Sequence, residues 1–114
     1  MRRRQRERDE RIIRDLIDTE DPAMAASVLI VWARSLPDDT WGIADSDVTE
    51  DFYMLVINEA KASVYSHAEN LDTYAHEAAH LLTWKIHGEY AEPAHGPLWR
   101  RMFARLTAAL DEVA

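Results

Sequence analysis

Apolar residues in the first third of the chain recur every three or four positions, the spacing of a helix with one buried face. Within 8–18 this pattern forms one stripe of Ile12, Ile13, Leu16 and Ile17. Asp21 followed by Pro22 is typical of a helix N-cap and first helical position. We therefore expect a second helix over 22–35, ending before Pro37. The residues that would share its buried face are Met24, Val28, Val31, Trp32 and Ser35.

The middle of the chain changes to runs of aromatic and β-branched residues, which favour strands. We expect strands over 41–44 and 52–57, and a short third strand over 62–65. The run 52–57 is apolar on both faces. It is therefore either a covered core strand or a sheet edge that can pair with an extended substrate.

The longest helical pattern begins at Ser66, which forms a capping-box sequence with Glu69, or at Asn70, and it ends at Gly88. A loop over 88–96 follows, and Pro97 opens a last helix. That helix places Trp99, Met102, Phe103, Leu106, Leu110 and Val113 at core spacing. Helices, then two or three strands, then helices again predict an α+β domain rather than an alternating βαβ one.

Composition limits the class of protein. The chain has 114 residues, of which 47% are hydrophobic, enough for one domain with a modest core. It has no cysteine, which excludes disulfides, thiolate zinc sites and cysteine nucleophiles. The longest apolar stretch, 23–33, is too short to cross a bilayer, and the basic start lacks a hydrophobic signal core. We expect a cytoplasmic protein without membrane contact.

Charge is distributed unevenly along the chain. Residues 1–14 carry seven arginines and three acids, a net +4, whereas residues 15–114 carry six basic and eighteen acidic residues, a net −12. We expect an arginine-rich helical arm over 1–21, followed by the main domain over 22–114. An acidic body disfavours broad contact with nucleic acid, so the isolated chain should bind DNA weakly or not at all.

The candidate chemistry lies on the longest predicted helix. His76 and His80 are four residues apart, so their imidazoles point from one helix face and can bind one zinc ion. Glu77 lies beside His76 around the helix, where it can reach a water on the metal without ligating the metal itself. A carboxylate so placed can accept the water's proton during attack on a carbonyl and pass it to the leaving amine.

A catalytic zinc site also needs a third protein ligand and one open position. The candidates are nearby carboxylates and three histidines: His67, His87 and His95. His87 lies two turns beyond His80, about 10.5 Å away along a straight helix, and His67 would have to fold back over the first turn. The loop after residue 88 can return the chain towards His80, which favours His95. Three tyrosines are candidate donors to an oxyanion: Tyr65, Tyr74 and Tyr90.

His76-Glu77-Ala78-Ala79-His80, followed after fourteen residues by His95-Gly96-Pro97-Leu98-Trp99, closely resembles the SprT-like (Spartan-related) zinc metalloproteases. The resemblance covers about residues 40–103. It implies a minimal zincin-like fold, in which a short two- or three-stranded sheet packs on the active-site helix between flanking helices. It also implies zinc bound by His76, His80 and His95, Glu77 as catalytic base, and Trp99 as a packing residue that steadies His95.

The expected function is that of a zinc-dependent endopeptidase acting on protein or peptide substrates, including DNA-associated ones. One alternative is a regulatory, repressor-cleaving zinc peptidase of a mobile element, a class that lacks the His-Gly-Pro-x-Trp element. Another is a non-proteolytic module in which zinc only stabilises a protein-binding surface. Glu77 argues against that module, since a structural zinc site needs no base.

Overall fold

Two helices open the chain in the computed structural model, which describes all 114 residues. α1 (Arg3–Asp18) turns its predicted stripe inward and buries it completely or almost completely. α2 (Pro22–Ser27) begins at Asp21, whose side chain accepts a hydrogen bond of 3.0 Å from the backbone amide of Met24. The predicted N-cap at Asp21 is therefore confirmed.

The predicted helix over 22–35 is wrong in its second half, so its proposed buried face does not exist. α2 ends at Ser27, and β1 (Leu29–Ala33) follows after a single residue. β1 pairs in parallel with a later strand, with Leu29 opposite Met54. β-branched residues such as Val31 lose side-chain freedom in a helix but pack well on a pleated surface. The distant strand partner decides the conformation, and the local spacing does not reveal it.

β2 (Gly42–Asp47) and β3 (Phe52–Asn58) confirm the other two main predicted strands. They pair antiparallel, and the sheet order is β1-β3-β2. β3 therefore lies in the centre, with Tyr53, Leu55 and Ile57 buried. Of the two alternatives for this run, the covered core strand is correct, and β2 forms a free edge of the sheet.

The third predicted strand, over 62–65, is wrong. Glu59–Val64 form a short helix, α3, and the side chain of Asn58 caps it by accepting a hydrogen bond of 3.2 Å from the amide of Lys61. A capped segment that contains two alanines, a glutamate and a lysine favours helix. The single buried side chain of α3, Ala62, contacts the core.

α4 (His67–His87) and α5 (Pro97–Val113) match the predicted helices. Ser66 and Glu69 form the expected capping box at the start of α4, and Gly88 follows its end with a φ of 91°. Ala75, Ala78 and Ala79 are fully buried in α4. Side chains this small allow the sheet and neighbouring helices to approach α4 closely.

One cluster of twenty buried hydrophobic residues joins all five helices to β1 and β3. The predicted α+β class, with a small sheet packed against a long helix, is confirmed. The division of the chain after residue 21 stays a prediction, although α1 contributes to the same core as the rest. None of the helices combines the length and the apolar composition needed to span a membrane.

Candidate metal centre

Two histidines project from the same face of α4. The ring centroids of His76 and His80 lie 5.1 Å apart, as the four-residue spacing predicts. His80 is buried, whereas His76 keeps about a third of its side-chain surface exposed. His80 is therefore held inside the protein, whereas His76 is accessible to solvent.

His95 reaches this pair from the loop between α4 and α5. Its Nε2 lies 3.1 Å from Nε2 of His76 and 3.2 Å from Nε2 of His80, and the three nitrogens all lie within 4.8 Å of one another. Nitrogens bound to one tetrahedral zinc at about 2.1 Å would lie about 3.4 Å apart. The donor set and its spacing therefore fit one metal ion.

The other two histidines do not join this cluster. Nδ1 of His67 lies 3.4 Å from the guanidinium of Arg8, at the opposite end of α4 from Gly88. His87 is exposed in the last turn of α4. No carboxylate belongs to the group of ligand atoms that converge at this site.

The electrostatics of the paired histidines suit metal binding. Burial lowers the pKa of His76, and the adjacent His95 lowers it further. Burial lowers the pKa of His80 more strongly, to about 4, with contributions from both neighbouring imidazoles. Both rings are therefore neutral near pH 7, and a neutral imidazole is the form that binds a metal.

Aromatic rings pack around the three histidines. Trp99 lies 4.8 Å from His76, 5.3 Å from His80 and 4.5 Å from His95, measured between ring centroids. Its indole N–H donates a hydrogen bond of 3.2 Å to the backbone carbonyl of His76. Trp84 also stacks on His80, with centroids 5.3 Å apart. Trp99 thus ties α5 to α4 and restricts all three rings.

Glu77 lies beside the cluster of nitrogens and next to Gly42, at the start of β2. Its carboxylate lies 3.9 Å from Nε2 of His76, and its side chain is 12% exposed. Burial raises the pKa of Glu77 to about 7, against the opposing effect of the backbone amide of Ala44. A β-carbon added to Gly42 would lie only 3.0 Å from Cγ of Glu77. The glycine leaves the space that this side chain occupies.

A cavity of about 420 Å³ opens beside Glu77 and His76, between the start of β2 and the first half of α4. Asp39, Asp72 and Trp41 also line it. A substrate in this cavity would contact both a candidate ligand and the candidate base.

Of the three candidate tyrosines, Tyr74 is excluded as a donor to an oxyanion, because its hydroxyl is engaged in the core. Tyr74 is fully buried and donates its hydroxyl hydrogen bond to Asp9 at 2.5 Å. Tyr65 packs against Trp41 with ring centroids 4.2 Å apart, and Tyr90 is 91% exposed.

Sequence reasoning missed two residues that shape the site: Gly42 and Glu92. Gly42 adjoins Glu77 only because the sheet packs on α4, and no local motif reveals that contact. Glu92 accepts hydrogen bonds from the amides of Leu98 and Trp99, at 2.7 and 3.5 Å. Its position three residues before His95 is the only hint that the sequence offers.

The fold and this site define a small α+β protein with a three-histidine candidate metal centre on its longest helix. The model of the SprT-like family matches residues 13–114, nearly the whole chain, and the chain belongs to that family. The resemblance inferred from the two histidine motifs is thereby confirmed. No curated protein and no solved structure was found to match the chain.

Proposed function

We propose that the chain is a zinc-dependent endopeptidase that hydrolyses peptide bonds of protein substrates. The observation that carries this proposal is the convergence of three imidazole Nε2 atoms beside a mostly buried carboxylate. Membership of the SprT-like family supports it. The residues proposed to hold the zinc are His76, His80 and His95, and the proposed catalytic base is Glu77.

Zinc, when bound, supplies a Lewis acid that polarises the peptide carbonyl and makes a water molecule more acidic. Glu77 accepts the proton of the attacking water at a carboxylate oxygen. As the new C–O bond forms and the C–N bond breaks, Glu77 donates that proton to the leaving amine. The Glu77 side chain occupies the space that Gly42 leaves between α4 and β2.

The free edge of β2 suits an extended substrate. β2 has a strand partner on one side only, and Gly42, its first residue, lines the cavity next to Glu77. An extended peptide can add to such an edge through backbone hydrogen bonds, which select for conformation more than for sequence. We therefore propose that the substrates are unfolded or extended segments of proteins, DNA-associated proteins among them.

Two features weigh against the alternative functions. The His-Gly-Pro-x-Trp element, absent from the regulatory repressor-cleaving peptidases, supplies both His95 and the Trp99 ring that contacts all three histidines. A non-proteolytic module has no use for a carboxylate such as Glu77 beside an accessible cavity. Both features support the peptidase.

Glu77→Gln tests the proposal. Glutamine has nearly the same shape but cannot accept a proton, so cleavage of an unfolded protein should fall by about 10²–10⁴-fold. Zinc content and thermal stability should match those of the parent protein. The control is His87→Ala, an exposed position on the same helix, which should cleave at the parent rate. Cleavage by Glu77→Gln at the parent rate would refute the mechanism.

A further inference from the structure

We infer that Glu92 is a positioning residue for His95, holding the loop that carries this histidine against α4. The inference rests on the proposed zinc centre, because it concerns how one of its ligands is kept in place. The polar contacts of the His95 ring are with Nε2 of His76 and of His80. The ring also packs against Trp99, with centroids 4.5 Å apart, so the backbone of the loop and the start of α5 together set its position.

Glu92 closes that loop. Its Oε1 accepts a hydrogen bond of 2.7 Å from the amide of Leu98, and its Oε2 accepts a longer one of 3.5 Å from the amide of Trp99. The shorter of these hydrogen bonds joins residues 92 and 98, and His95 lies midway between them in the sequence. A backbone hydrogen bond of 2.9 Å from Gly96 to the carbonyl of Pro93 tightens the same segment.

Glu92 also supplies what α5 lacks at its start. The first amides of a helix have no partner within the helix, and a side chain normally caps them. The N-cap residue here is Gly96, which has no side chain to do so. The carboxylate of Glu92 replaces the missing cap, and the positive end of the helix dipole favours its negative charge.

Gly96 and Glu92 fit each other. A β-carbon at Gly96 would overlap Oε2 of Glu92 and lie 2.6 Å from its Cδ. The backbone of Gly96 has a φ of −73°, which any residue can adopt. The glycine is therefore required for space and not for conformation. A methyl group at this position would push the flexible carboxylate away from α5 and remove the cap.

The experiment measures zinc affinity by competition with a chelator. Glu92→Ala and Gly96→Ala should each weaken zinc binding about 10- to 100-fold, the usual effect of removing a group that supports a metal ligand. Glu92→Gln keeps one acceptor and should stay within about threefold of the parent protein. The double variant should bind no more weakly than Glu92→Ala alone, since both substitutions disrupt one contact.

Two controls separate positioning from general destabilisation. Glu89→Ala removes an exposed acid from the same loop, and Ala108→Gly weakens α5 at an exposed position far from the loop. Both should keep the parent zinc affinity. His95→Ala should lose zinc binding more completely than any of the Glu92 variants. The visible absorption of bound Co²⁺, which reports ligand geometry, should change in Glu92→Ala and persist in Ala108→Gly.

The outcomes distinguish this inference from the proposed function. If Glu92→Ala and Gly96→Ala bind zinc as tightly as the parent protein, the inference is wrong, whereas the peptidase proposal stands. If additive losses appear in the double variant, the two residues do not share one contact and the inference also fails. Failure of the peptidase proposal is read separately, from cleavage by Glu77→Gln.

Discussion

Glu77 has little freedom at its place between α4 and β2. A β-carbon added at Gly42 would lie 3.0 Å from Cγ of Glu77 and 3.4 Å from the backbone carbonyl oxygen of Val56. A larger residue at 42 therefore cannot retreat into the sheet and must displace the Glu77 side chain. The orientation of Glu77, the proposed base, therefore depends on Gly42, which has no side chain.

Gly42→Ala should lower kcat about 2- to 10-fold with a smaller change in KM, because the Glu77 side chain must shift by a few tenths of an ångström to clear the added methyl group. Zinc content should stay that of the parent protein, because the three histidines do not contact residue 42. Steady-state kinetics on a peptide substrate and metal analysis measure both effects.

The matched control for this prediction is Ser46→Ala, on the same strand. The hydroxyl of Ser46 is buried without a hydrogen-bond partner, so its removal should leave kcat unchanged. Equal activity of Gly42→Ala and the parent protein would show that Glu77 does not need the space beside β2.

At the scale of helices and strands, an ion pair joins the start of α2 to the end of α4. Nζ of Lys85 lies 2.6 Å from Oδ2 of Asp21. Burial alone would raise the pKa of the Asp21 carboxyl, but the hydrogen bonds from Lys85 and from the Met24 amide outweigh it and hold the pKa below 3.8. The hydrogen bond to Asp21 likewise raises the pKa of Lys85.

This pair should make stability depend on pH. A carboxyl with a lowered pKa in the folded state stabilises the fold above its unfolded pKa, and the contribution is lost as the pH falls through the folded value. Lys85→Met should therefore reduce the free energy of unfolding at pH 5–7 by about 0.5–1 kcal/mol, the range for a partly exposed pair. The difference from the parent protein should shrink below about pH 3.8.

Urea unfolding at pH 3, 5 and 7 measures the effect, and Lys61→Met is the control, because Lys61 forms no ion pair. Substitution of Lys85 rather than Asp21 leaves the N-cap of α2 intact. A stability loss in Lys85→Met that is the same at all three pH values would rule out this explanation.

The sequence predicted those elements whose side-chain pattern is local and failed where a distant partner decides. α1, α4 and α5 carry long apolar stripes, caps or an opening proline, so their existence could be read directly. The local spacing predicts helix at β1, because the strand that pairs with it lies 25 residues further along the chain, with Leu29 opposite Met54. α3 is short, and its N-cap residue, Asn58, is also the last residue of β3.

The same distinction applies to the candidate site. His76, Glu77 and His80 share one helix, so their spacing alone predicted the arrangement, and His95 followed from the loop that leads back from Gly88. Glu92 could not be predicted in the same way. Its role arises from a fold of the loop that places its carboxylate over Gly96.

At the scale of the whole molecule, most of the positive charge near the N-terminus is already engaged. Arg6 bonds Glu59 at 2.9 Å, Arg8 bonds Asp9 at 3.0 Å, and Arg14 donates to the carbonyl of Ala25 at 2.9 Å. Three exposed arginines lack such a partner: Arg2, Arg4 and Arg11. Residues 15–114 carry a net charge of −12, so these three arginines attract a phosphate backbone only weakly.

We therefore expect weak DNA binding that disappears as salt approaches physiological concentration. If these three arginines neutralise one phosphate each, the slope of log K against log salt should be about −3. A variant with glutamine at positions 2, 4 and 11 should lose this binding. A titration at low and physiological salt checks the prediction. Tight binding by the variant at physiological salt would place a basic site elsewhere, such as around Arg100, Arg101 and Arg105.

Deletion of residues 1–14 would not be an equivalent test of whether these arginines bind DNA. It removes Asp9, Ile12 and Ile13, which are all buried, and leaves the hydroxyl of Tyr74 without its partner in the core. An unpaired buried polar group costs about 1–3 kcal/mol, before the lost apolar contacts are counted. Substitution of the exposed arginines keeps the fold and changes only the charge.

The short distance between His76 and His95 also has a consequence for how the chain resists unfolding. The two residues are 19 positions apart, and the chain has no cysteine with which to form a covalent crosslink. A metal ion held by both residues would bind the folded chain and not the unfolded one, and would therefore stabilise the fold more as the concentration of free metal rises. Stabilisation of this kind does not depend on thiols and is lost when a chelator removes the metal. The stability of the folded protein would then depend on the concentration of free metal and not on the redox state of its surroundings.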